Sequence, residues 1–331
     1  MLGPIAWRTP PRHYGPWERV TSLLTEALVA RGVQVTLFAT ADSSTNGMLD
    51  AVAPSGYAED PSMDGRVWEA LHVAHALSRS AEFDIVHNQL DWLPLAFSAH
   101  CAAPMVTTIH GFSGAGILPA YRSARSRFVA ISAADRSPLL DYTAVIHHGI
   151  ELSELPAGPG GDDLVVFGRI HPDKGTAEAI RIARGVGRRL IICGIVQDAG
   201  YFAREVEPHI DGVDVVYLGS VGPAQRAAVL GSAAVLLHPI AFPEPFGLSV
   251  VEAMACGTPV VAYRLGSMAE VVDDGVTGYL VEDQQSAVAA VPRAAGLDRV
   301  AVRARAADRF GVHRMVDAYL RVYQDMVQYD T

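Results

Sequence analysis

The sequence predicts an α/β protein made of two doubly wound parallel sheets, and three observations carry that reading. Short β-branched apolar runs alternate with helical periods along the whole chain. That is the pattern of strands buried on both faces by helices. The alternation breaks at 155–161, where Leu155-Pro156-Ala157-Gly158-Pro159-Gly160-Gly161 holds two prolines and three glycines. Such a stretch continues neither a helix nor a central strand, so it reads as a linker and a hinge. The length of 331 residues suits two domains of ordinary size.

In chain order, a short first strand is expected over Gly3–Trp7. Residues 18–31 follow with Val20, Leu23, Leu24, Ala27 and Leu28 at i, i+3, i+4, i+7 and i+8, an amphipathic helix. Strands are expected at Val33–Ala39, Asp84–His87, Met105–Ile109, Phe128–Ser132 and Ala144–His148, with a helix over Arg66–Ser80. Beyond the linker the strands are Leu164–Phe167, Leu190–Cys193, Val213–Leu218, Ala234–His238 and Val260–Tyr263. Helices are expected near Thr176–Arg184, Ala224–Ser232 and Phe246–Ala255. A last helix, Val312–Gln328, carries Met315, Tyr319 and Val322 on one side. Ligands of such folds bind at the carboxyl ends of the strands, so two facing domains point to a site in the cleft between them.

Composition narrows the function. Apolar residues make up 50% and charged residues 19%, enough for a sizeable core. The net charge of −10 argues against a broad nucleic-acid surface. No signal-peptide pattern opens the chain and no run is apolar enough for a transmembrane segment. Cys101, Cys193 and Cys256 form no CxxC and suggest no disulfide framework, which reads as a cytoplasmic protein. Of the 26 basic residues only Lys174 is a lysine.

Four stretches carry candidate chemistry. In Pro243–Pro259, Glu244 stands just before an expected helix and Pro245 suits a first helical position. The amides of Phe246, Gly247 and Leu248 would then be first-turn donors for an anion or a hydroxyl. Glu252 lies two turns deeper on the face near Glu244, and such carboxylates can grip sugar or ribose hydroxyls. A helix cap plus a surface glutamate would read the same way. In Val166–Gly175, Arg169 and Lys174 follow a strand and precede a helix, which suits a diphosphate. Two solvated charges are the plain alternative, and an exposed lysine there would add little to the fold. Pro10–Glu18 is a rigid loop into the first helix, holding Arg12, His13, Tyr14, Gly15 and Trp17. His110 ends an expected central strand, either as a structural histidine or as a site residue.

Other patterns are set aside. Gly111, Gly114 and Gly116 make G-x-x-G-x-G, which is not the dinucleotide fingerprint. His72 and His75 share a helix without a third ligand and read as a solvated face; Asp273-Asp274 reads as a turn. No metal site is expected.

Together the motifs resemble the retaining GT-B glycosyltransferases of family 4. Glu244-Pro245-Phe246-Gly247-Leu248 through Glu252-Ala253-Met254-Ala255-Cys256-Gly257-Thr258-Pro259 matches the E-x7-E signature and its continuation. Gly168-Arg169-Ile170 through Lys174-Gly175 is similar to the family's diphosphate turn, and Glu270-Val271-Val272, Asp274-Gly275 and Thr277-Gly278 fit the sequel. The resemblance implies a GT-B fold: an acceptor-side domain at 1–155, a nucleotide-sugar domain at 162–311, and a helix at 312–331 crossing back. It implies a retaining hexosyltransferase that takes a UDP- or GDP-hexose to a small-molecule, glycan or lipid acceptor, with no resident cofactor and no metal. Arg169 and Lys174 would hold the diphosphate and Glu252 the ribose. Glu244 and the Phe246–Leu248 backbone would hold the sugar, with His110 near it. A donor phosphate oxygen would take the acceptor proton. The family's first-loop Gly-Gly is Gly15-Pro16 here. Pro16 offers no amide, so only the close approach of Gly15 remains. The acceptor is expected near Arg12, His13, Tyr14, Trp17 and Asn88, on loops at strand ends. A nucleotide-sugar epimerase of the same fold, or a non-catalytic nucleotide-sugar-binding protein, is the alternative.

Overall fold

The computed structural model describes residues 1–111 and 114–329. They form two compact units. The first is Met1–Gly149 together with the C-terminal helix Val312–Tyr329, and the second is Ile150–Gly311.

The first unit carries β1 (Thr36–Phe38), β2 (Met48–Asp50), β3 (Val86–Asn88), β4 (Met105–Ile109), β5 (Arg127–Ala130) and β6 (Ala144–Val145). β1 pairs with β2, and β3-β4-β5-β6 follow one another, all in parallel. Leu2 bridges Phe38 of β1 and Asn88 of β3 and joins the two sheets. The first strand expected over Gly3–Trp7 thus shrinks to one ladder residue. Pro4 has no N–H to continue a central strand. On either side of Leu2 the connections run in opposite directions, so the sheet is doubly wound. The helix Pro16–Ala30 starts on proline, as a first turn tolerates, and buries Val20, Leu24 and Leu28. The C-terminal helix packs on it, with Arg31 and Asp317 paired at 2.6 Å. That helix buries Met315, Tyr319 and Val322, the side its spacing predicts. Residues 330–331 of the expected last element lie outside the described residues.

The helix Gly65–Ser78 is capped by Asp64, whose carboxylate accepts from the Arg66 and Val67 amides. His72 on this helix does not face solvent as its spacing suggested. It is buried, and its Nε2 meets the Gly3 carbonyl at 3.0 Å. His75 pairs with Asp50 at 2.9 Å.

The second unit holds β7 (Leu164–Phe167), β8 (Leu190–Cys193), β9 (Val215–Tyr217), β10 (Val235–His238), β11 (Val260–Tyr263) and β12 (Gly278–Val281). Their order is β12-β11-β10-β7-β8-β9, all parallel, with Val235 and Leu236 of β10 opposite Leu164 and Val165 of β7. The core lies between this sheet and the helix pair Thr176–Val186 and Gln284–Ala295, around Ile180, Ala183, Ala287 and Val291. The sequence reading had not placed Gln284–Ala295 or Arg299–Phe310. Pro292 sits inside the first and arginines interrupt the apolar period of the second.

The glycine-proline stretch is not the hinge it resembled. The Gly158 amide bonds the Cys256 carbonyl at 3.0 Å, and the Gly160 amide bonds the Gly231 carbonyl at 2.9 Å. A Cβ on Gly158 would fall 2.2 Å from the Gly231 backbone. These glycines allow close packing inside the second unit, and the units divide at 149/150 instead.

Candidate functional site

The second unit has its switch point between β7 and β10. From β7 the chain winds to β8 and β9 on one side, and from β10 to β11 and β12 on the other. The two connections diverge there and leave a crevice at the carboxyl ends, where ligands of doubly wound sheets bind. β7 delivers Gly168 and Arg169 to this crevice and β10 delivers His238. A cavity there is lined by Gly168, Arg169, Lys174, Thr176 and His238, over a floor of Val166 and Ile192.

Lys174 ends a tight turn, Pro172–Lys174, and Gly175 follows at φ 69°. A Cβ at Gly175 would lie 1.9 Å from the Pro239 carbonyl oxygen, so only glycine lets this turn close on the exit of β10. The turn brings Lys174 Nζ within 2.5 Å of Glu244 Oε2. His238 Nε2 stands 3.5 Å from the same oxygen, and the ammonium lies 4.5 Å from the Phe242 ring centroid. Burial pushes the Glu244 carboxyl up, but His238 and Lys174 outweigh it and hold its pKa at about 2. Glu244 is therefore a carboxylate at neutral pH. Its backbone is pinned by the Ser267 amide, which bonds the Glu244 carbonyl at 2.8 Å. Lys174 is not the exposed lysine expected from sequence, since only 17% of its side chain reaches solvent.

The helix after Glu244 runs Leu248–Ala255, two residues later than expected. Pro245 and Phe246 precede it, and Gly247 caps it at φ 85°. The positive φ explains the glycine: the chain must reverse before the first turn, and an L side chain there is strained. Leu248 and Ser249 begin that turn. Phe246 is buried with its ring edge-on to Phe310, at 5.9 Å between centroids.

Glu252 does not join Glu244 in one carboxylate pair. It is buried and meets Arg226 Nη1 at 3.1 Å. Arg226, on the helix Pro223–Ser232, lies over the Phe167 ring at 5.6 Å. Sequence reasoning missed Arg226, because nothing in its own helix sets it apart from the other arginines. Arg169 donates to the Gln197 side-chain oxygen and stays partly exposed. Each acid of the signature thus has its own cation, and Arg169 is held at the cavity wall.

In the first unit, Gly15 caps the helix Pro16–Ala30 at φ 144°. His110, one residue past β4, is buried and stacks on Trp17 with ring centroids 5.2 Å apart. Its Nε2 lies 2.6 Å from Gln89 Oε1 and its Nδ1 lies 3.4 Å from His148 Nε2. Burial, reinforced by His87, lowers its pKa to about 3, so the ring is neutral. Tyr14 meets Trp7 edge-on, and Arg12 bridges Asp42 and Glu59 at 3.3 and 3.4 Å. His13 is exposed on the same loop. Asn88 is not on an open loop as expected. It ends β3, fully buried, and its side chain bonds the Asp91 carbonyl, Thr107 and the Leu90 amide. Among the described residues no group of three or more His, Cys, Asp or Glu could hold a metal ion, and no helix is long and apolar enough to cross a membrane.

Two doubly wound parallel-sheet units in one chain, the second with acids and cations at its switch point, are the architecture of the GT-B class. The family profile described as "Glycosyl transferases group 1" matches residues 153–295, and "Glycosyltransferase Family 4" matches residues 17–154. The chain belongs to glycosyltransferase family 4. A D-inositol 3-phosphate glycosyltransferase of Saccharomonospora viridis is 35% identical over 49% of this chain and 42% of its own length. The chain therefore matches less than half the length of that relative. One of the same name from Mycobacterium bovis is 27% identical over 90% of this chain and 76% of its own. AviGT4, a glycosyltransferase involved in avilamycin A biosynthesis, superposes with a TM-score of 0.74 at 24% identity, covering 97% of this chain and 93% of that one. Sucrose-phosphate synthase from Thermosynechococcus elongatus gives 0.77 at 18% identity, over 95% and 94%. Anabaena HepE, solved with UDP and glucose, gives 0.72 at 20% identity, over 94% and 96%. These structural likenesses establish the fold.

Proposed function

We propose that this chain transfers a hexose from a UDP- or GDP-sugar to an acceptor hydroxyl with retention of configuration. The observation that carries the reading is the Lys174–Glu244–His238 cluster at the switch point, with Arg169 at the wall of the same cavity. A nucleotide sugar needs cations for its diphosphate and a carboxylate for its hydroxyls. Here both stand at the carboxyl ends of β7 and β10. Arg169 and Lys174 receive the diphosphate, and the backbone at Phe246, Gly247 and Leu248 lies beside the sugar. Glu252 takes the ribose. An arriving diphosphate competes with Glu244 for Lys174, and this frees the carboxylate for a sugar hydroxyl while His238 stays beside it.

In the transfer, the bond from the anomeric carbon to the diphosphate oxygen breaks and a bond to the acceptor oxygen forms. The acceptor proton passes to a donor phosphate oxygen, and the nucleoside diphosphate leaves. Fixed cations and amides stabilise the growing charge of that leaving group, the work a metal ion does in other enzymes. No resident cofactor is needed. The family resemblance assigns His110 a place beside the transferred sugar, and the proposal keeps it. The acceptor is a small molecule, glycan or lipid, met through Arg12, His13, Tyr14 and Trp17. The D-inositol 3-phosphate glycosyltransferases among its relatives make inositol 3-phosphate the first compound to try.

The test is release of nucleoside diphosphate from UDP- and GDP-hexoses across an acceptor panel, with the product's anomeric coupling read by NMR. Acceptor-dependent release with the donor's anomeric configuration supports the reading. Donor binding without release from any acceptor would leave a nucleotide-sugar-binding protein instead.

A further inference from the structure

His110 ends a hydrogen-bonded chain that starts on the C-terminal helix. Tyr323 Oη is 2.6 Å from His87 Nδ1. His87 Nε2 is 2.8 Å from Thr108 Oγ1 and 2.9 Å from Gln89 Nε2. Gln89 Oε1 is 2.6 Å from His110 Nε2. His87, Gln89, Thr108 and His110 are all buried, so solvent is kept from the bonds among them, while Tyr323 is half-buried.

With the Gln89 amide oriented as in this structure, donor and acceptor chemistry gives this chain one direction. An amide oxygen only accepts, so His110 must donate from Nε2. The Gln89 amide nitrogen only donates, so His87 Nε2 must accept, and the proton of His87 sits on Nδ1 and goes to Tyr323. Thr108 adds a second donor to His87 Nε2, backed by Tyr319 at 2.7 Å from its hydroxyl. The two histidines therefore hold opposite tautomers, with Gln89 as the adaptor between them. The partner of one ring nitrogen decides which proton the other carries.

The geometry points to Gln89, backed by His87 and Tyr323, as the positioning residue that locks His110 with its proton on Nε2 and keeps the Nδ1 lone pair for a hydroxyl. The only contact at Nδ1 among the described residues is His148, at the long distance of 3.4 Å, which a hydroxyl can replace. This rests on the assignment of His110 to the transfer site.

The test reads tautomers and turnover separately. Long-range proton–nitrogen NMR of the full chain labelled with ¹⁵N-histidine, with His87→Gln and His110→Gln used to assign the rings, should show Nε2–H at His110 and Nδ1–H at His87. Gln89→Met fills the space without the acceptor. It should mix the His110 tautomers and lower kcat by about tenfold, the worth of one hydrogen bond, with the donor KM unchanged. Nδ1–H at His110 in the unaltered protein would overturn the proposal, and that measurement needs no variant to fold. So would Gln89→Met with the His110 tautomer unchanged. Mixed tautomers with full turnover would remove the positioning role. No turnover with any nucleotide sugar would sink the proposed function, while the spectra still decide the relay.

Discussion

Lys174 is paired with Glu244 in the structure, and the proposed function gives it a diphosphate as a second partner. Its ammonium neutralises Glu244 at 2.5 Å and also stands at the cavity wall where a diphosphate would lie. Lys174→Ala should lower kcat/KM for the donor by roughly 10- to 100-fold, the worth of a hydrogen bond to a charged group. It should also cost about 1–3 kcal/mol of stability, because Glu244 stays buried with only His238 beside it. Steady-state kinetics and urea unfolding separate the two losses. Lys174→Arg should restore stability better than turnover, since a planar fork does not reproduce a point charge. Full turnover in Lys174→Ala would move the diphosphate elsewhere. Arg226 and Glu252 form the second buried pair, at 3.1 Å. Arg226→Ala should cost about 3 kcal/mol or more, because it strips the guanidinium from a buried carboxylate. Adding Glu252→Gln should cost little further. A double-mutant cycle with no coupling would show that the pair is not what holds Glu252.

At the scale of elements, two glycines let turns approach where side chains would block them. At Gly247, φ is 85° and an added Cβ would lie 2.5 Å from the Met268 methyl carbon, which can swing away. Gly247→Ala should therefore cost only the left-handed strain, about 1–2 kcal/mol. Gly175→Ala meets the Pro239 carbonyl oxygen, which is backbone and cannot swing. It should shift the turn that carries Lys174 and weaken donor affinity more than Gly247→Ala does. Calorimetric titration of a nucleoside diphosphate into both variants checks this. Equal affinities would mean that the turn does not carry the phosphate cation.

For the whole molecule, the donor is expected on the second unit, since Arg169, Lys174, Glu244 and Glu252 all belong to it. A crystal soaked with UDP or GDP should show the diphosphate against Arg169 and Lys174. Density confined to the first unit would refute the assignment. Acid stability follows from the first unit. Burial above all lowers His72 to about 4 and His87 and His110 to about 3, and takes His148 well below its ordinary value. The unfolded chain titrates its histidines near about 6.5. Between those values the unfolded state binds protons that the folded state refuses, so stability falls as pH drops below about 6.5. Glu18 and Asp91 act the other way. Burial raises them to about 7 and about 6, and the folded state holds protons that unfolded carboxyls have released above about 4. Four histidines and the buried N-terminal amine, which burial lowers to about 5, stand against three carboxyls, since burial raises Glu69 as well; the balance is a net loss on acidification, steepest below about pH 4.5, where the carboxyls stop opposing. There the low pKa of Glu244 adds to the loss. Urea midpoints that stay flat from pH 7 to 4 would contradict neutral, buried histidines.

Most of the strands were legible because their apolar runs have nowhere to go but a covered parallel sheet; the edge strands Met48–Asp50 and Gly278–Val281, too short or too polar to show such a run, were not. Met105–Ile109, Leu164–Phe167, Leu190–Cys193 and Val260–Tyr263 fall where the runs are. Arg169, Lys174 and Glu244 were legible as candidates because they sit after a strand or before a helix, which local periodicity marks, and Glu252, inside the helix, by its spacing from Glu244. Partners were not legible. Whether Glu244 faces Glu252 or Lys174, whether Arg226 matters, and whether Asn88 is open to solvent depend on which strands become neighbours, and sequence distance does not encode that. The glycine-proline stretch read as a hinge because its composition forbids regular structure. Packing decided otherwise, since small residues also let backbones touch, as Gly158 and Gly231 do. By itself the sequence determined the two alternating sheets, the signature acids and the cations after β7. Only the tertiary structure decided their pairing, because an ion pair in a buried site is set by the switch point that brings β7 beside β10.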